Sequence, residues 1–274
     1  MEWDAKAYHR LSNPQFSWGK KVLDGLALRG DETVLDAGCG SGRLTAEILE
    51  RLPGGRLLAV DRSQNMLAEA RRHLEPRFGD RVSYLCADLA DLADLADLAD
   101  LQELASPEPV DLIFSSATLH WVLDHERLFD RLFSILRPGG RLVAQCDGQG
   151  NLARLRTRAA RLFEAEPFAP YFKGAPEPWI FHDDLSTAAR LRASGFTAVE
   201  TSLERADAPF ASADEHRDFL ERVVFGVHFA RVPERCRSTL AGSLAEALTR
   251  LAAADDPPLV LDYVRLNIAA SRPS

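Results

Sequence analysis

Three glycines at alternate positions, Gly38, Gly40 and Gly42, follow a short apolar run in VLDAGCGSG (residues 34–42), the pattern of a turn that brings backbone N–H groups to a bound ligand. Two features separate it from a dinucleotide-binding turn. Arg43 stands where G-x-G-x-x-G/A requires a small residue for close helix–strand packing. Asp36 lies two residues ahead of the first glycine, and a carboxylate within about 4 to 6 Å of a pyrophosphate repels it while favouring an ammonium or sulfonium group. Asp61 ends the apolar run RLLAVD, a position from which an acid accepts hydrogen bonds from two ribose hydroxyls. Asp88 can accept from an adenine amino group, and Leu89 can offer its N–H to the ring. An adenosyl group with a methionine tail satisfies all three acids.

Downstream, Leu119-His120-Trp121 places an imidazole and an indole near the same edge. His120 is the candidate catalytic residue, either as a general base or as a side chain that shapes the pocket, and Trp121 is a candidate wall of an acceptor site. His125 is five residues from His120, a poor spacing for shared ligation on a helix, so no metal is expected. Basic residues that could meet an acidic acceptor are Arg154, Arg158, Arg161, Lys173 and His182, and Trp18, Phe172 and Trp179 are aromatic residues in the same overhang.

The elements that must position these groups read as strands alternating with helices. Strands are expected at 33–37, 56–61, 81–86, 110–116 and 141–146, then at 196–205 and 262–268, the last burying Val264, Leu266 and Ile268 on one face. Helices are expected at 42–52, 63–75 and 125–136, the last ended by Pro138-Gly139-Gly140, with further helices at 151–166 and 183–194 and two or three within 212–250. A doubly wound, mostly parallel seven-stranded α/β sheet follows, with its ligand beyond the carboxyl ends of the strands where the strand order reverses. The divisions expected are residues 1–30 as helices covering the cofactor, 31–148 as the ligand-binding core, 149–258 as helical cap insertions with one returning strand, and 259–274 as the final strand. In ADLADLADLADLADL (87–101) leucine recurs every third position, which matches neither helix nor strand, and reads as a surface repeat with solvated Asp91, Asp94, Asp97 and Asp100.

Composition narrows the function classes. A formal charge of −8 and a pI near 5.4 give no global attraction to phosphate backbones, so no nucleic-acid partner is expected. The start MEWDAKAYHR is charged, and no window approaches eighteen uncharged apolar residues, so a cytoplasmic protein without a membrane partner is expected, as monomer or homodimer. Cys39, Cys86, Cys146 and Cys236 show no CxxC pairing and are expected as buried thiols.

The motifs VLDAGCGSG, LLAVDRSQNML, LCADL, DLIFSSATLHWV and LRPGGRLV resemble, in order, those of class I S-adenosylmethionine-dependent methyltransferases, over roughly residues 31–145. WDAKAYHRLSNPQFSWG and SSATLHWVLDH are most similar to the trans-aconitate 2-methyltransferase group, which makes methyl esters of small polycarboxylates. The resemblance implies a Rossmann-like sheet and S-adenosyl-L-methionine as cofactor. It implies Asp36, Gly38 and Gly40 at the methionine end, Asp61 at the ribose with Arg62 and Met66 beside it, and Asp88 with Leu89 at the adenine. It also places Ser116 near the methionine amino group and Tyr8 over the cofactor. Apart from the resemblance, Trp18, Trp121, Arg154, Arg158, Trp179 and His182, by their position at or over the expected site, are the candidates for the acceptor. The expected reaction is in-line methyl transfer to a small-molecule carboxylate. An amine, carbon acid, hydroxyl or RNA acceptor, or cofactor binding without catalysis, are the alternatives.

Overall fold

The computed structural model describes residues 5–92 and 109–274, so the repeat beyond Leu92 lies outside the described residues. Two helices open the chain, α1 (Ala5–Leu11) and α2 (Asn13–Asp24), followed by β1 (Thr33–Ala37), α3 (Arg43–Glu50), β2 (Arg56–Asp61), α4 (Gln64–Phe78) and β3 (Val82–Cys86). Then come β4 (Val110–Ser116), α5 (His125–Ile135) and β5 (Leu136–Asp147). The second half holds α6 (Ala153–Phe163), α7 (Ala169–Phe172), α8 (Asp184–Ala193), β6 (Thr197–Arg205), β7 (Ala208–Pro209), α9 (Ala213–Phe219), α10 (Glu234–Ala253), β8 (Val260–Leu261) and β9 (Val264–Ser271).

Seven strands form one sheet in the order β3-β2-β1-β4-β5-β9-β6. β9 alone runs against its neighbours, pairing antiparallel with both β5 and β6. Strands covered on both faces read as continuous apolar runs. Successive residues then serve opposite layers: Val34, Leu57 and Ala59 pack towards Leu23, Ile48 and Leu74 of α2, α3 and α4, while Leu35, Leu58 and Val60 pack towards Leu128, Phe129 and Leu132 of α5. The order reverses between β1 and β4, which opens a crevice at their carboxyl ends.

A separate apolar cluster holds the later helices together, with Phe172, Trp179, Phe219, Phe229, Leu244 and Leu248 buried in it. One turn of π-helix, Leu220–Val224, continues α9 there. Caps set several starts: Ser63 accepts from the N–H of Met66, Asp124 from Arg127 and Asp183 from Ser186.

Several boundaries differ from the sequence expectation. Pro138-Gly139-Gly140 lies within β5 rather than in a turn after a helix, because the Gly139 N–H donates to Arg272 and Pro273 carbonyls at 3.1 and 3.2 Å. The helix expected at 151–166 is the shorter α6. Asn151 is occupied elsewhere, its Oδ1 accepting from the Val264 N–H at 2.8 Å. In β9 Leu266 and Ile268 are buried as expected, but Val264 is only half-buried and Arg265, on the opposite face, is 1 % exposed. All four cysteines are free, yet only Cys39 and Cys146 are buried, since Cys86 ends the edge strand β3. Among the described residues no helix is long and apolar enough to cross a membrane.

Candidate active site

The glycine turn is tied to the end of β2 by backbone and side chain together. Gly38 and Cys39 N–H groups both donate to the Val60 carbonyl at 2.8 and 2.9 Å. The two Asp61 oxygens accept from Gly40 and Ser63 N–H groups, each at 2.9 Å. Gly38 has φ +86, and a Cβ there would overlap Thr118 Oγ1, which donates back to the Gly38 carbonyl at 3.2 Å. Only glycine allows that approach. Gly40, φ +54, faces open space instead.

Asp36 is not an exposed carboxylate at the mouth. It is 2 % exposed and accepts a 2.6 Å bond from Thr45 Oγ1. Burial pushes its carboxyl up to about 7, with the Thr45 bond opposing and the Asp61 charge adding to the rise. Asp61 and Asp88 end the neighbouring structure on the same cleft, and the Arg62 guanidinium stands 3.9 Å from Asp88.

The cleft lies beyond the carboxyl ends of β1, β2, β4 and β5 and is covered by α1 and α2. Every residue expected at the cofactor lines it, from Tyr8, Asp36, Gly38 and Gly40 to Asp61, Arg62 and Met66, and on to Asp88, Leu89 and Ser116. His120, Trp121 and Trp179 line its inner end, with the two indoles 5.4 Å apart between ring centres. Val223 and Val224 of the π-turn close the wall.

The remaining expectations separate from the cleft. Arg158 forms a two-pronged pair with Asp255 at 2.6 and 2.8 Å, and Arg154 is 3.7 Å from Asp255 and 3.9 Å from Asp262, so neither lines it. His182 packs against His125, the rings tilted by 53° with their centres 4.3 Å apart. Trp18 sits behind the wall, 4.8 Å from the Tyr263 ring. Arg154 and Arg158 of α6 are both half-buried and paired with aspartates that follow α10.

His120 is fully inside, and its bonds fix its tautomer. Nδ1 accepts from the Asp147 N–H at 3.2 Å, which leaves the proton on Nε2, 3.5 Å from Asp147 Oδ2. Burial lowers its pKa to about 4, so the ring is neutral at pH 7. Asp147 is ion-paired with the buried Arg265, whose guanidinium also lies 4.8 Å over the Trp18 ring. Sequence reasoning missed Asp147, Tyr263 and Arg265. An acid ending a parallel strand and an arginine inside the alternation VRLNI were the available signals.

A parallel sheet reversed only at β9, with acids ending successive strands around a glycine turn, defines an S-adenosylmethionine-dependent methyltransferase of class I. Residues 34–140 match the family described as a methyltransferase domain. The chain is 31 % identical over 252 residues to a trans-aconitate 2-methyltransferase of Azoarcus sp. strain BH72, covering 84 % of this chain and 91 % of that protein. The chain therefore belongs to the class I S-adenosylmethionine-dependent methyltransferases, in the trans-aconitate 2-methyltransferase group. A relative of that name from Acidovorax ebreus strain TPSY is 35 % identical over 144 residues, 53 % of this chain and 49 % of that protein, so that match spans about half of the relative. In fold, the chain is similar to phosphoethanolamine N-methyltransferase 2 of Haemonchus contortus, solved with phosphomonomethylethanolamine and S-adenosylhomocysteine. The TM-score is 0.58 at 18 % identity, covering 98 % of this chain and 57 % of that one.

The cofactor is S-adenosylmethionine, and the residues present suit it. Ser116 Oγ is buried without a hydrogen-bond partner, Gly40 leaves room where a Cβ would stand, and buried Asp36 can regain its charge beside a cation.

Proposed function

We propose that this methyltransferase esterifies the carboxylate of a small molecule of the trans-aconitate type. The observation that carries the reading is a lack of proton acceptors at the inner end of the cleft, among the described residues. Both nitrogens of His120 are engaged, one as acceptor and one carrying hydrogen. The tyrosine hydroxyls hold their protons, Tyr8 being pushed up to about 12 by burial and by the charges of Asp61 and Asp147, and Tyr263 raised well above its usual value, chiefly by burial. Asp147 is committed to Arg265. A nucleophile that arrives already anionic needs no base, whereas a phenol or ammonium acceptor does.

Donors, by contrast, are available. The Trp179 indole N–H is buried without an acceptor and belongs to the wall of the cleft. When bound, the cofactor supplies a methyl group on a positively charged sulfur, and transfer neutralises charge. The chain's part is to hold nucleophile and methyl group together and keep water out. Asp36, Gly38, Gly40 and Ser116 hold the methionine end, Asp61 with Arg62 and Met66 the ribose side, and Asp88 with Leu89 the adenine. Trp121, Trp179 and Val223 exclude water around the acceptor, and His120 positions Asp147 rather than moving a proton. Arg154, Arg158, His182 and Trp18 drop out as direct acceptor contacts.

The reading is tested by supplying methyl-labelled cofactor with trans-aconitate, with tricarboxylic and monocarboxylic acids, with amines and with phenols. Base-labile ester, releasing labelled methanol, is the expected product. Base-stable label on an amine or phenol alone, or cofactor binding with no transfer to any acceptor, overturns it.

A further inference from the structure

Neither the spacing of His120 and His125 nor the scattered cysteines point to a metal. A different set of ligand-type side chains converges at the rim of the cleft, where α1 crosses α4. His9 comes from α1, and Glu69 and His73 stand one turn apart on α4, a spacing that puts both on one helix face. One ligand atom from each lies within 4.8 Å of the others. The two imidazole Nε2 atoms are 3.0 Å apart. Two nitrogens bound to one tetrahedral zinc ion at 2.0–2.1 Å stand roughly 3.3 Å apart, so the two rings need to part by only a few tenths of an ångström, with the Glu69 carboxylate swinging in to complete the set. The other nitrogen of His9 meets Ser41 Oγ at 2.9 Å, the kind of outer contact that fixes a ligating ring.

We propose that His9, Glu69 and His73 form a binding site for a divalent transition-metal ion of the zinc class, with a fourth position left to water. Two imidazoles and one carboxylate are a donor set suited to such an ion. Arg72 works against it, because its guanidinium holds the Glu69 carboxylate and places a positive charge beside the ion. The site joins the helix that carries Tyr8 to the helix behind the glycine turn, and Ser41 belongs to that turn. Metal therefore fixes the covering helix, and by reciprocity metal and cofactor strengthen each other's binding.

Cobalt(II), added to the full-length chain free of added histidines, tests this. One equivalent should bind with the visible bands of a four-coordinate site. His73→Gln and His9→Gln should each abolish the bands, and Arg72→Ala should tighten binding several-fold. S-adenosylhomocysteine affinity should rise several-fold with the metal in the parent chain and not in His73→Gln. If the histidine variants fold poorly, X-ray absorption of the loaded parent chain should count two imidazole ligands. Fewer than two, or cobalt binding unchanged in folded His73→Gln, overturns the site and leaves the methyltransferase reading untouched. In that case the two rings merely share a hydrogen bond.

Discussion

Asp36→Asn separates the burden of burying a carboxylate from the use made of it. The Asp36 carboxyl rises from 3.8 to about 7, chiefly because burial strips it of water. The unfolded chain thus releases this proton well before the folded one does. Between roughly pH 4 and 7 the folded state holds more protons, so stability falls as pH rises through that window and levels off above it. A rise of about three pH units corresponds to about 4 kcal/mol lost by the upper end. For a chain of this size that is roughly 8 to 16 °C in melting temperature. The asparagine amide oxygen can still accept from Thr45 Oγ1, so packing is kept while the titration is removed.

Thermal melts of ligand-free protein from pH 4.5 to 8.5 should therefore show a falling melting temperature in the parent chain and a flatter curve in Asp36→Asn, which becomes the more stable protein above pH 7. Cofactor binding should run the other way. Only the charged carboxylate attracts a sulfonium and an ammonium, so calorimetric affinity should rise with pH and plateau near 7 in the parent chain, and stay weak and flat in the variant. Parallel melting curves for the two proteins would refute the assignment of this charge to Asp36.

Other substitutions divide the cleft by function. Asp61→Ala removes the acceptor for two N–H groups and, on the proposed reading, for the sugar, and should weaken S-adenosylhomocysteine binding by on the order of 1 to 3 kcal/mol in calorimetry. His120→Ala should keep ester formation within about tenfold of the parent rate with no new limb in the pH profile, whereas a loss of roughly 100-fold or more would mark a base. Arg154→Ala and Arg158→Ala should leave the acceptor KM unchanged in steady-state assays, because their partners are Asp255 and Asp262. Arg265→Met strands Asp147 in a buried position and should cost about 3 to 5 kcal/mol in denaturant unfolding, most of it recovered by adding Asp147→Leu.

The cofactor end of the cleft was legible in the sequence because its parts are local. Asp61 ends a strand, and Gly38 to Gly42 and Asp88 closely follow strands, that the apolar pattern already marks, and the parallel order brings those ends together. What sequence could not show was depth. Asp36 occupies the position expected of it, yet the packing of Thr45 over it turns an exposed charge into a buried one.

The acceptor end was read less well, for a topological reason. β9 is inserted between β5 and β6, so Arg265 meets Asp147 across 118 residues and Trp18 packs on Tyr263 from the opposite end of the chain. No spacing rule reaches that far. Arg154 and Arg158 of α6, conspicuous in sequence, pair with acids that follow α10, again a distant pairing. Arg265, which looked like an ordinary member of an alternating strand, is thus a buried cation paired with Asp147 of the cleft wall, while Arg43 and Arg62 line the cleft itself. Because Asp147 is paired with Arg265, its end of the cleft offers the Trp179 indole N–H and aromatic walls. On the proposed reading, selectivity among carboxylic acids depends on shape and on Trp121, Trp179 and the π-turn valines, and a bulkier wall at Val223 should alter which acid is esterified before it alters the rate for the acids that still fit.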